Sequence, residues 1–346
     1  MKILALVTSL MFIGGCSAIT QSSSGSDTIS GRVSAGPVGG ATVTLNALAD
    51  DGTIGATLGT AITAADGSYT LKLVAPVTGN TILTAVNGIY FEEATPDVPV
   101  TLGTMRTVLS AVNTSRQYGV SPASEIAASA TLAAVAGSVV PLATLIDTTN
   151  TAIAQQFGLD DITIAPLNPN VTVADPSSAA AKLTLALATL SEMAANSATA
   201  EGSVITSQDI ASTLATNFIA NGSFDPAVSN LANVALSANA SSRNVSAQVV
   251  SLVTPSASTT LDVSTLISNV GDGSATTFAD AFASAANTYK ASAPAIAAGL
   301  NAVAVPTANS GNTTSVANTN VSSITSSDLG STTSLSAPTV NTISAR

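Results

Sequence analysis

Adjacent carboxylates are the side chains best equipped for chemistry in this sequence, and they occur at Asp50-Asp51, Glu92-Glu93 and Asp160-Asp161. Two carboxyl groups that flank one bond can serve as general acid and as base or nucleophile. Neighbours in a strand point to opposite faces, so Glu92 and Glu93 cannot flank one bond, and the other two pairs lie in turn-like contexts. All three pairs therefore read as solvated turn residues. A hydrolase remains open only through carboxylates brought together from different segments, for instance Glu125 or Glu192. Asp50, Asp51 and Asp66 lie near turns where oxygen ligands can gather around calcium, but no alternating Asp-x-Asp-x-Asp-Gly loop is present. Ser178 and Lys182 stand one helical turn apart and read as a solvated face, since no Ser-x-x-Lys spacing occurs. Gly271-Asp272-Gly273 lacks the third glycine of a nucleotide loop, and no Gly-Lys pair exists to cradle phosphate. With no histidine, one cysteine and no tryptophan, histidine-based triads, imidazole metal sites and cysteine zinc clusters are excluded. No catalytic residue, metal ligand or cofactor is expected. A net charge of -11 with nine Lys plus Arg leaves no cation cluster for phosphate neutralisation, so nucleic acid is not an expected partner.

The amino terminus carries an address. Met1-Lys2 gives a positive start, Ile3 to Ile13 an apolar run, and Gly14 and Gly15 small residues before Cys16. That is the pattern of a secretory signal, and the run is shorter than the roughly 20 residues a spanning helix needs. Ile13-Gly14-Gly15-Cys16 resembles the bacterial lipobox, which implies cleavage between Gly15 and Cys16 and lipid attachment at Cys16. Because Cys16 is the only cysteine, lipidation leaves neither a free thiol nor a disulfide in the mature chain. Two or more acyl chains, at about 0.8 kcal/mol per buried methylene, hold a protein on a membrane where one chain binds marginally. Ser17, in place of aspartate, resembles the sorting signal of lipoproteins that leave the inner membrane of Gram-negative bacteria. The expected location is the outer membrane, on its periplasmic or its cell-surface side.

A length of 346 residues with 46% hydrophobic and 8% charged residues calls for two folded units. A signal peptide over 1–15 and a Ser/Gly-rich flexible linker over 16–28 are followed, over 29–113, by short strands. Ala41, Val43 and Leu45 alternate with Thr42, Thr44 and Asn46, and Tyr69, Leu71 and Leu73 with Ser68, Thr70 and Lys72. The same period recurs around Ile82, Thr84 and Val86. Asp66-Gly67 and Asn87-Gly88 supply the positive backbone angles of tight hairpins. The pattern is that of an antiparallel β-sandwich. After Pro122 the period becomes about 3.6, so an all-α domain is expected over 114–306. Its stripes are Leu142, Ile146, Thr149, Ile153 and Phe157; Leu183, Leu187 and Leu190, with Leu185 on another face; Ile210, Leu214 and Phe218; and Phe278, Phe282 and Tyr289. Asp175-Pro176 and Asp225-Pro226 read as helix starts. Residues 307–346 form a Ser/Thr/Asn-rich low-complexity tail, expected to be disordered or to pair as strands in an assembly.

Gly31 to Leu45, GRVSAGPVGGATVTL, and Thr63 to Leu71, TAADGSYTL, resemble a carboxypeptidase regulatory-like domain, a transthyretin-like β-sandwich. The resemblance implies a spacer or interaction module and no catalysis. Ser121 to Ala128 and Phe157 to Ile162 resemble bacterial surface lipoproteins in which such a sandwich precedes an alanine-rich helical region. The expected function is non-catalytic binding, adhesion or structural support in the bacterial envelope. Its partners would be the membrane, through covalent lipid, and an envelope protein or extracellular polymer. An envelope hydrolase acting on glycan or peptide through a carboxylate pair, and a scaffold subunit of a surface assembly, are the alternatives.

Overall fold

The computed structural model describes residues 27–136, 138–168, 173–201, 205–224, 234–235, 260–261, 277–292 and 295–308. Strands come first: β1 Thr28–Val33, β2 Thr42–Leu48, β3 Ile54–Ile62, β4 Ser68–Lys72, β5 Thr81–Val86, β6 Ile89–Phe91, β7 Pro99–Thr101, β8 Met105–Leu109 and β9 Gln117–Val120. Helices follow: α1 Pro122–Val135, α2 Leu142–Gln156, α3 Ala179–Glu201, α4 Ser207–Asn221 and α5 Phe278–Ser292, then a 3₁₀ stretch over Ala295–Ala302. The strands form a three-stranded sheet ordered β4-β1-β9, a four-stranded sheet ordered β3-β2-β5-β8, and the pair β6-β7. Val234–Ala235 and Thr260–Leu261 make a further short antiparallel pair.

Alternation places the expected faces. Val43, Leu45, Leu83, Ala85 and Met105 of the larger sheet meet Ile29, Val33, Tyr69, Leu71, Tyr118 and Val120 of the smaller one in a shared apolar core. β1 pairs antiparallel with β4 and parallel with β9, which lies beyond the expected boundary at 113. A β-strand at 117–120 therefore corrects the expectation of helix-only structure from 114 onward. The correction is nonlocal in origin, since β9 owes its place to a partner far upstream. At Gly31, between Tyr69 and Tyr118, an added Cβ would fall 1.8 Å from the Tyr118 carbonyl oxygen. Tyr69 Oη reaches over this gap to donate to that same oxygen at 3.1 Å.

Both expected turns form, with Gly67 at φ 80° and Asn87 at φ 64°. They do not close hairpins within one sheet, because β3 and β4, and likewise β5 and β6, belong to different sheets. A two-residue turn reverses the chain without fixing which neighbour the next strand takes.

α1 and α2 pack on the other face of the four-stranded sheet, where Leu48, Ile82 and Val108 meet Ala128, Ala134, Leu142, Leu145 and Ile146. β5 is thus covered on both faces, which is why Thr81, Ile82 and Leu83 are all buried. Ser121 caps α1 in a reciprocal capping box with Ser124, and Pro122 begins the helix. Ser124 Oγ also accepts from Thr107 Oγ1 at 2.8 Å, so the cap fastens α1 to β8.

The remaining helices enclose a second core in which Phe157, Phe218, Phe224, Phe278 and Phe282 gather with Leu183, Leu187, Leu190, Ile210 and Leu214. The Phe157 ring lies 5.1, 5.9 and 5.7 Å from those of Phe224, Phe278 and Phe282. Leu185 of α3 faces the opposite way, toward Tyr289, Leu300 and Val303, so α3 is buried on two sides as its stripes imply. α3 starts at Ala179, three residues after the expected Pro176, because Asp175 forms a turn with Ser177 and the Ser178 hydroxyl accepts from Ala181 N at 3.2 Å. Thr307 packs against Gly158, and Ala308 is buried in the phenylalanine core, so the chain is still packed at the point where the tail was expected. Cys16, Gly15, Asp225-Pro226, Gly271-Asp272-Gly273 and residues 309–346 lie outside the described residues.

Candidate functional site

The turn aspartates hold their own loops. Asp51 accepts from Thr53 N at 2.9 Å, and Asp50 accepts from Asn80 Nδ2 at 3.1 Å. Asp66 accepts from the Ser68 amide and hydroxyl and pairs with Arg32. Those Ser68 hydrogen bonds, with Arg32 adding a smaller share, hold the Asp66 carboxyl below its usual range. Asp161 takes Thr163 N and the Arg116 guanidinium, and Asp160 faces Lys182 at 3.9 Å. Lys182 is thus directed to Asp160, while the Ser178 hydroxyl serves the helix start. Among the described residues no group of three or more His, Cys, Asp or Glu side chains is placed to hold a metal ion.

Glu92 and Glu93 depart from the expectation of solvated turn residues. Glu92 is 3% exposed, and its Oε1 accepts from Ser207 N at 2.7 Å, Ser207 Oγ at 3.0 Å and Tyr90 Oη at 3.3 Å. The Oε2 atoms of both glutamates are shielded from solvent and have no hydrogen-bond partner among the described residues. Removal from water pushes the Glu92 carboxyl up to about 7, against the opposing hydrogen bonds from Ser207 and Ser191. The same desolvation, with Glu92 next to it, pushes Glu93 up to about 8. The physical reason for the correction is distance in sequence. α3 and α4 close over the end of β6, and nothing local announces them. One signal was present: the alternation that buries Tyr90 and exposes Ile89 and Phe91 continues to place Glu92 on the Tyr90 face.

Beside this cluster lies a cleft of about 340 Å³, walled by Gly103 to Arg106 at the start of β8, by Pro122, Glu125 and Ser129 of α1, and by α4 from Gln208 to Ile219. β8 is an edge strand, which leaves one side open for the cleft. Arg106 and Glu125 dominate it. Arg106 Nε lies 3.1 and 3.2 Å from the two Glu125 oxygens, Nη2 also bonds Oε1, and Nη2 donates to Ser129 Oγ at 3.1 Å. The Arg106 and Glu125 side chains are 26% and 17% exposed. Glu125 hydrogen bonding and charge outweigh desolvation and raise the Arg106 pKa further. Asp209, the other acid of the cleft, closes a capping box with Thr206 at the start of α4. Gln208 Oε1 accepts from Gly103 N at 3.3 Å and ties α4 to the sheet.

Chemically the cleft offers a neutralised ion pair, a ring of hydroxyls and amides, and small apolar walls. Both Glu125 oxygens are engaged by Arg106, so the carboxylate is committed to holding β8 against α1. Glu192, the other acid considered for hydrolysis, is half-buried on α3 and hydrogen-bonded to Asn196, outside the cleft lining. Its carboxyl is raised by burial. The structure therefore does not bring Glu125 and Glu192 to one cleft. Compared with protein-family models, curated proteins and solved structures, the chain matches none of them.

Proposed function

We propose that this chain is a lipid-anchored protein of the bacterial envelope, held at the outer membrane through Cys16, with a non-catalytic binding, adhesion or structural role. Its architecture in this reading is a carboxypeptidase regulatory-like β-sandwich continuing to Val120, followed by a mainly helical region that includes the short strand pair Val234–Ala235 and Thr260–Leu261. The observation that carries the proposal is the string Ile13-Gly14-Gly15-Cys16 behind an apolar run, with the chain's only cysteine at the cleavage point. The shared core of two sheets supports the sandwich assignment, and a cleft of about 340 Å³ is compatible with a binding role. Among the described residues no helix is long and apolar enough to cross a membrane. Both acids of the cleft are tied up structurally, which favours binding over hydrolysis.

The test is Cys16→Ala in a bacterial host, followed by membrane fractionation and labelled-palmitate incorporation. The variant is expected to lose both membrane association and label while remaining folded. A variant that still fractionates wholly with membranes and still takes up fatty acid would refute the anchor. Screening the purified protein against oligosaccharide and peptide panels is expected to give retention without turnover; turnover abolished by Glu125→Gln would establish the hydrolase instead.

A further inference from the structure

After β6 the chain loops out over residues 92–98, touches the helices, and returns as β7 to pair with β6. Three polar contacts tie the chain to the helices: Glu92 Oε1 to Ser207 at the start of α4, Ala94 N donating to Ser191 Oγ of α3 at 3.0 Å, and Gly103 N donating to Gln208 of α4. Glu92 has the strongest of these positions, because the Ser207 amide is one of the donors that a helix start leaves without an intrahelical acceptor.

The groups facing this carboxyl pair are all neutral or acidic. β6 contributes the Tyr90 hydroxyl, α4 contributes Ser207 and Asp209, and α3 contributes Ser191. α5 contributes Tyr289, which lies within the electrostatic reach of both Glu93 and Glu192. The cations go elsewhere. Arg32, Arg106, Arg116 and Lys182 pair with Asp66, Glu125, Asp161 and Asp160, and Lys290 donates to the Val303 carbonyl. Two adjacent carboxyl groups with shielded, unpartnered Oε2 atoms and no facing cation among the described residues are far easier to bury as neutral acids than as a pair of anions.

We propose that Glu92 and Glu93 form a proton-operated latch: protonated, they keep the loop 92–98, between β6 and β7, seated on α3 and on the N-terminus of α4, and their deprotonation unseats it. The helix N-terminus at Ser207, the Ser191 hydroxyl and, at Glu93, the Gly36 amide favour the charged forms, but desolvation outweighs them and both Oε2 atoms stay without a hydrogen bond among the described residues. Because the folded pKa values lie above the ordinary 4.5, at about 7 and about 8, the seated state is fully favoured below about 4.5. That advantage is lost as pH rises through about 7 to 8. Gln208 and Asp209 belong both to the latched helix start and to the cleft wall, so unlatching would loosen one side of the cleft.

The test is hydrogen exchange on the full-length protein between about pH 6 and about pH 8.5, corrected for the intrinsic pH dependence of amide exchange. Protection of amides in the loop 92–98 and at the start of α4 is expected to fall about a hundredfold over that range, with α2 amides unchanged. Glu92→Gln and Glu93→Gln, which keep an acceptor and cannot ionise, should each flatten part of the drop. Constant protection in the natural chain, or an undiminished drop in both glutamine variants, would overturn the latch. Should Glu92→Gln fail to fold, Glu93→Gln and the infrared band of protonated carboxyl groups decide the matter. That band is expected in the natural protein near neutral pH and weakened in the variant; its absence from the natural protein would overturn the proposal.

Discussion

Glu125 and Arg106 form the ion pair that dominates the cleft, and a double-mutant cycle reads how tightly it is locked. The perturbations are Arg106→Ala, Glu125→Ala and the two combined. Both side chains are less than a third exposed, and three nitrogen-to-carboxylate contacts join them, with Ser129 as a further acceptor. The gross attraction of two unit charges at this separation is about 4 kcal/mol at an effective dielectric of 20, before desolvation is subtracted. Exposed pairs retain 0.2–1 kcal/mol, whereas stripping one partner from a buried pair costs about 3–5 kcal/mol because the other charge is left bare. This pair lies between those limits, so each single substitution is expected to cost about 2–3 kcal/mol, with a coupling of about 1–2 kcal/mol. Urea unfolding followed by far-ultraviolet circular dichroism and tyrosine fluorescence supplies the four free energies. Tyrosine is the useful emitter because the chain has no tryptophan and three of its four tyrosines, Tyr69, Tyr90 and Tyr118, lie in the strand region. The coupling should survive added salt, since partly buried charges are weakly screened. Costs that add within about 0.3 kcal/mol would refute the locked pair and return Glu125 to the pool of free carboxylates.

Three further outcomes follow from the packing. Gly31→Ala places a methyl group 1.8 Å from the Tyr118 carbonyl oxygen and 2.6 Å from Tyr69 Oη. It should cost about 3 kcal/mol or more in urea unfolding, combining overpacking with loss of the Tyr69 hydrogen bond, and a cost below about 0.5 kcal/mol would contradict the close approach. Phe157→Ala removes the ring shared by Phe224, Phe278 and Phe282 and should cost about 3–5 kcal/mol in the same assay. Asp66→Asn tests the opposite pH sign to the latch. A carboxyl held below 3.8 stabilises the fold above that pH and loses its effect as pH falls through its folded value. At 40% exposure the effect is under about 1 kcal/mol near neutrality and should vanish in acid.

The elements were legible in the sequence because each announces itself within a few residues. Alternation at Ala41 to Asn46, the stripe from Leu142 to Phe157 and the Asp66-Gly67 turn all appear where local pattern places them. What joins the elements was not legible. β9 finds β1, the helices α1 and α2 cover the outer face of a sheet, and α4 closes over Glu92, each through contacts that no short window contains. The cleft pair Arg106–Glu125 needed the register of β8 against α1, and two successive glutamates after IYF look soluble until Ser207 arrives from 115 residues away.

The parallel pairing of β1 with β9 also has a mechanical meaning. If the chain hangs from the membrane by Cys16, tension enters the fold at the amino-terminal end of β1. A load that leaves from the carboxyl-terminal end of β9, into α1, pulls those two strands along their axes in opposite directions. Hydrogen bonds across such a ladder are stretched together rather than opened one after another, as they would be in a hairpin pulled from its open end. The antiparallel ladder to β4, from Thr28↔Lys72 to Arg32↔Ser68, lies on the other side of the same strand and shares the strain. Under such a tether the first strand loaded would be the central strand of its three-stranded sheet, flanked on both sides by β4 and β9.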